Sequence, residues 1–172
     1  MLCLLTGCLA IVEDLHRAGF VHGNLNAGTI LVNDTGDPVL DDVGLWRSAL
    51  GEEIRSLPGA LPLSGTAIET FFPTEFETGP WTDVYGLAAT AFYALSGRPP
   101  RDVLSRLTEG NPPTSIPSIH GGVTAAPGAE RGEDTGGEWL AHFGVADLPI
   151  HVAAAVRSGL QLRPEDRPDT VV

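Results

Sequence analysis

The sequence contains no lysine: all ten of its basic residues are arginine. That excludes Schiff-base chemistry on a lysine, a phosphate-loop lysine and a lysine general base, whatever the fold. Positive charge is scarce altogether. The 10 arginines stand against 22 aspartates and glutamates in 172 residues, a formal net charge of -12. There is no domain-wide basic field to attract nucleic acid or anionic lipid, so no nucleic acid is expected as a partner. Cysteine is limited to Cys3 and Cys8, and their separation is not a zinc-ligand spacing. Both fit one helix and read as buried structural thiols. Long apolar runs are missing too: Leu2–Val12 falls far short of the roughly 20 residues a membrane helix needs. Leu5-Thr6-Gly7-Cys8 looks like a lipoprotein cleavage box, but no basic region precedes it. No membrane insertion is expected, and the expected location is the cytoplasm.

What is present suits a folded domain. Apolar residues make up 42% and charged ones 19%, enough to build one core at this length. Arginine-only usage with 21 glycines and 14 prolines fits a GC-rich, bacterial type of coding sequence.

Apolar positions Leu4, Cys8, Ile11, Leu15 and Ala18 recur at helical spacing, which predicts a helix over 4–18 stopped by Gly19. Thr29–Val32 and Val39-Leu40 read as strands joined across the turn-forming run Asn33-Asp34-Thr35-Gly36-Asp37, a β-hairpin. Leu45–Gly65 reads as a surface loop. Asp83–Ser96 is the strongest helix, apolar nearly all round and so central to a core, with Thr82 as N-cap and Gly97 just past its end. A short helix is expected over 101–107 and another over 148–160. Between them, 108–137 is rich in Gly and Pro and poor in large apolar residues, which predicts a flexible insertion. Arg163–Pro168 is a polar turn.

His22-Gly23-Asn24-Leu25-Asn26-Ala27-Gly28-Thr29-Ile30-Leu31-Val32 is followed ten residues later by Asp42-Val43-Gly44. Downstream stand Thr82-Asp83-Val84-Tyr85-Gly86-Leu87 and Arg163-Pro164-Glu165-Asp166-Arg167-Pro168. These blocks, in this order, resemble the C-terminal lobe of the eukaryotic-like (Hanks-type) serine/threonine protein kinases. That family's catalytic loop reads His-Arg-Asp-Leu-Lys-Pro-x-Asn-Ile-Leu and leads through a hairpin to Asp-Phe-Gly. The resemblance implies a mainly α (α+β) fold: a single partial kinase-like C-lobe over 1–172, with a small hairpin at the catalytic loop and the N-lobe absent.

Phosphoryl transfer asks a protein for positioning and charge neutralisation. A carboxylate takes the acceptor's proton, a cation sits on the γ-phosphate, and oxygen ligands hold Mg²⁺. Carried over position by position, the resemblance puts Asn24 at the base, Asn26 at the catalytic-loop lysine, and Thr29 and Asp42 at the two magnesium positions. Gly23 stands at the arginine of His-Arg-Asp. Only Asp42 keeps the family residue. His22, Gly44, Asp83 and Arg167 take structural roles: His22 packs the loop, and Asp83 bonds loop amides from the start of the central helix. Glu75, in Pro73-Thr74-Glu75, is expected as the ion-pair partner of Arg167 at the family's Ala-Pro-Glu, with Glu69 as competitor. His16 reads as a core residue or carbonyl partner. His120, His142 and His151 show no ligand spacing.

The expected function is that of a pseudokinase-like lobe that binds another protein, an active kinase or its substrate, without phosphotransfer. No cofactor is expected. The alternatives are a serine/threonine protein kinase, in which case ATP and magnesium are its cofactors, and a non-functional gene remnant.

Overall fold

The computed structural model describes residues 2–42, 63–108 and 150–171. Gly44, Trp46, Trp139, His120, His142 and all but the first residue of the expected 108–137 insertion lie outside the described residues.

Helix α1 spans Leu2–Arg17. Its buried line runs through Cys8 and Val12, both fully buried, to the side chain of His16, whereas Ile11 and Leu15 are half-buried and Ala18 is exposed. The face is thus turned from the one the apolar spacing predicts, because a polar partner draws His16 inward. Cys8 is buried, and desolvation pushes its thiol above the ordinary value. Cys3 is exposed, so the expectation of two buried thiols holds for one of them.

Strands β1 (Ile30–Val32) and β2 (Pro38–Leu40) pair antiparallel, with Ile30 opposite Leu40, Leu31 opposite Val39 and Val32 opposite Pro38. Asn33 closes the turn. Its side-chain oxygen accepts from the Thr35 and Asp37 amides at 3.0 and 2.8 Å, and Gly36 takes a φ of +88°.

A 3₁₀ turn at Leu63–Gly65 and the four-residue helix α2 (Ile68–Phe71) lead to α3, Pro80–Ser96. Helix α3 begins three residues before the expected start. Pro80 occupies the first helical position, where its missing N–H costs nothing. Thr82 is therefore not the N-cap; from inside the first turn its hydroxyl accepts the Gly79 amide at 3.2 Å. Gly97 ends the helix with a φ of +70°. Helix α4 is Val103–Thr108, α5 is Ile150–Gly159, and a 3₁₀ turn covers Pro164–Asp166.

Because α3 is apolar on nearly every face, it separates two buried clusters. Tyr85, Ala88, Ala89 and Phe92 pack with Ile68, Val103, Ala153, Val156, Leu160 and Leu162. Leu87 packs on the other side with Cys8, Val12 and Leu25, and Ile30 and Leu40 of the hairpin rest on that smaller group. Helix α5 crosses α3 closely at Gly159, where an added Cβ would stand 2.6 Å from the Ala88 methyl. Among the described residues, no helix is long and apolar enough to cross a membrane.

Candidate functional site

The loop between α1 and β1 carries few apolar side chains, so its conformation is fixed by hydrogen bonds. Asp83, in the first turn of α3, supplies two of them and a third to the end of α1. Its carboxylate is completely buried and accepts the backbone amides of His22 and Gly23, each at 2.8 Å, and His16 Nε2–H at 2.7 Å. A carboxylate near a helix N-terminus is favoured by the helix dipole, and three donors satisfy it in the absence of water. His16 thus bonds a carboxylate rather than a carbonyl, and its Nδ1 has no partner among the described residues.

His22 is fully buried. Nε2 meets the Asp41 carbonyl at 3.0 Å and Nδ1 meets the Asn24 amide at 3.3 Å. The neutral Nε2–H tautomer fits both, one nitrogen donating and the other accepting. The ring ties the loop to the end of β2, and Asp41 N–H adds a bond to the Thr29 carbonyl at 2.8 Å.

Beneath the loop lies Gly86. A Cβ there would sit 2.1 Å from the Leu25 carbonyl oxygen, closer than any real contact. Only glycine lets the central helix approach the loop this closely. The sequence carries the signal, a glycine inside an otherwise apolar helix, but not the contact.

The positions at which the family performs its chemistry are drawn together. Asn24 Nδ2 donates to Asp42 Oδ2 at 2.7 Å. Asn26 is buried: its Nδ2 donates to the Asn24 carbonyl and its Oδ1 accepts the Gly28 amide, both at 2.8 Å. The buried Thr29 hydroxyl accepts the Asn26 amide at 3.0 Å and faces the carbonyls of Asn24 and Asn26 at 3.1 Å. Asp42 takes a φ of +55°, a left-handed conformation that L-residues adopt at a cost of about 1–2 kcal/mol and that Asp tolerates better than most. The Asp41 carboxylate accepts the Asp42 amide at 2.8 Å.

As a donor set for Mg²⁺, this group offers one carboxylate, and the nearest side chain presents that carboxylate with N–H rather than oxygen. The Thr29 hydroxyl and the Asn26 amide are engaged within the loop. Hard cations take oxygen ligands, several at once, and these residues do not fit a magnesium-bound phosphate. No group of three or more His, Cys, Asp or Glu side chains placed to hold a metal occurs among the described residues.

A second buried polar group lies across α3. Arg167 Nη1 pairs with Glu69 Oε1 at 2.7 Å, with both side chains fully buried. The guanidinium also donates to the carbonyls of Gln161 (2.7 Å), Leu162 (2.8 Å) and Trp81 (3.3 Å), and it lies 4.8 Å from the centre of the Tyr85 ring. Glu69 Oε1 takes a further bond from the Thr82 hydroxyl at 2.8 Å. The expected partner Glu75 is exposed and bonds Thr74, so the Glu75 assignment is corrected to Glu69. The physical reason is placement: Glu69 stands on α2, which packs into the main cluster, whereas Glu75 lies in the turn beyond it. Ala67-Ile68-Glu69 keeps the outer two residues of Ala-Pro-Glu, and that was the available signal. Burial raises the Tyr85 hydroxyl above its ordinary value, and the cationic Arg106 and Arg167 moderate the rise.

No family model matches the chain. Serine/threonine-protein kinase PknK of Mycobacterium tuberculosis is 29% identical over 168 residues, which cover 92% of this chain and 12% of PknK. Serine/threonine-protein kinase PknA of Nostoc sp. is 30% identical over 106 residues, 58% of this chain and 18% of PknA. Serine/threonine-protein kinase PknL of Mycobacterium tuberculosis is 35% identical over 88 residues, 49% of this chain and 21% of PknL. The chain thus spans about a fifth or less of the curated relatives it matches. The solved apo form of PpkA-294 superposes with a TM-score of 0.68 at 25% identity, over 98% of this chain and half of that one. The shared order of helix, loop, hairpin and central helix, with the named relatives, supports a Hanks-type, serine/threonine-kinase-like domain of which this chain forms a part.

Proposed function

We propose that this chain is a pseudokinase-like module that binds another protein and does not transfer phosphate. The observation that carries the reading is the 2.7 Å bond from the Asn24 amide to Asp42. An amide at the base position takes no proton from a hydroxyl, and here its N–H groups point at the carboxylate that would meet a cation. The absence of lysine from the sequence removes the partner for a γ-phosphate at the same time. In the serine-protease triad, neutralising the catalytic Asp as Asn lowers turnover about 10⁴-fold. Residual transfer by this loop is expected to be at least that weak. A neighbouring kinase or a kinase substrate is the partner that suits a retained frame without its chemistry, and the expected cofactor is none.

The reading as a serine/threonine protein kinase is favoured by two observations: Asn24 and Asp42 face each other across the loop mouth, and the named relatives are such kinases. Radiolabelled γ-phosphate transfer to a generic protein substrate, with Mg²⁺ or Mn²⁺, decides between them. We expect no incorporation above blank from the unaltered chain. Incorporation that Asp42→Ala abolishes overturns the binding-module reading in favour of the kinase.

A further inference from the structure

We propose that Asn24 holds Asp42 in its working conformation without a divalent cation, the side-chain amide standing where a cation would otherwise be needed. The inference deepens the binding-module reading and rests on it only for what the arrangement serves.

Three observations meet at one residue. Asp42 has a left-handed backbone, φ +55°, which something must hold. Its amide is held by the Asp41 carboxylate at 2.8 Å, and Asp41 is itself pinned by Thr29 and His22. Its own carboxylate is held by the Asn24 amide at 2.7 Å. A carboxylate in place of that amide, as an aspartate at position 24 would supply, would face the like charge of Asp42 and be repelled by it unless a cation came between them. An amide removes the conflict: it donates, carries no charge and matches the aspartate in shape. The same exchange that removes the base therefore makes the arrangement of Asp42 self-sufficient.

Thermal unfolding of the unaltered chain, Asn24→Asp and Asn24→Ala, each in EDTA and in millimolar MgCl₂ or MnCl₂, tests this. The unaltered chain is expected to melt at the same temperature in all three. Asn24→Asp should melt roughly 5 °C lower in EDTA and recover most of the loss with either cation. Asn24→Ala should fall and not recover. A cation-dependent rise in the unaltered chain equal to that of Asn24→Asp overturns the proposal, as does an Asn24→Asp midpoint that does not fall or that cations leave unchanged. Should Asn24→Asp fail to fold, Mn²⁺ titration of the unaltered chain decides: the Asn24 side-chain NH₂ signal in its NMR spectrum is expected to stay sharp, and selective broadening refutes the inference. Phosphotransfer is a separate readout. A cation response of the unaltered chain without transfer sinks this inference alone, whereas Asp42-dependent transfer sinks the binding-module reading.

Discussion

The two sides of helix α3 hold their polar groups in different ways. On one side Glu69 and Arg167 form a fully buried ion pair, walled by Ile68, Tyr85 and Leu162. On the other side the loop of His22–Thr29 rests on the small cluster of Cys8, Val12, Leu25 and Leu87, and its polar atoms bond mostly to its own backbone and to Asp83. The first arrangement keeps the charged residues that the kinase-like frame requires. The second keeps the frame's shape while neutral amides occupy the positions where charge would do chemistry. Buried charge thus holds helices together on one side of α3, while on the other uncharged amides stand at Asn24 and Asn26 beside the single carboxylate of Asp42.

The largest expected effect tests the ion-pair side. Glu69→Ala leaves the Arg167 guanidinium buried without its counter-charge, and removal of one partner from such a pair costs about 3–5 kcal/mol. Glu75→Ala should leave chemical denaturation within about 0.5 kcal/mol of the parent, since Glu75 is exposed. Equal losses from the two variants would dissolve the assignment. On the loop side, Asp83→Ala strands the His22 and Gly23 amides and the His16 ring N–H, an expected loss of about 3 kcal/mol. Gly86→Ala forces the Leu25 carbonyl away from α3 and should cost about 1–3 kcal/mol. Amide hydrogen exchange sharpens the comparison: for Gly86→Ala, faster exchange is expected across residues 22–29, with the Arg167 neighbourhood unchanged.

The smallest effect concerns α4 and pH. Asp102 caps that helix: its carboxylate accepts the Ser105 amide at 2.9 Å and the Ser105 hydroxyl at 2.8 Å, which lowers its pKa below the ordinary 3.8. A carboxylate with a depressed pKa contributes stability that is complete above its unfolded value and lost as pH falls through the folded one. Asp102→Asn should therefore melt slightly below the parent at neutral pH, with the gap closing below pH 3.8. A gap that stays constant across that range would assign the cap's contribution to shape rather than charge.

Much of this was legible in the sequence because periodicity and turn chemistry act locally. The apolar wrap of 83–96 required a central helix, and Asn33–Asp37 required a tight turn between two strands. The helix start was misread because Thr82 is a good N-cap by type, while Gly79-Pro80 set the boundary through proline's fixed φ. Glu69 and Glu75 differ little as sequence. Only the packing of Ile68 into the main cluster decides which carboxylate is buried. His16 was hidden for the same reason, since its partner Asp83 is 67 positions away. At the site, Asn24, Asn26 and Thr29 were identifiable by position alone. That the Asn26 and Thr29 side chains bond the loop's own backbone and that of Asn24 bonds Asp42 follows from how the loop closes over Gly86, a contact that no spacing reveals.

The central claim is that the loop's polar groups are already engaged and leave no seat for a magnesium-bound nucleotide. A crystal structure of the chain grown with MgATP tests it most directly. The account predicts the Asn24 amide still on the Asp42 carboxylate, with no metal between Thr29 and Asp42. Magnesium bridging those two residues, with Asn24 swung away and phosphate oxygens completing the shell, would contradict it.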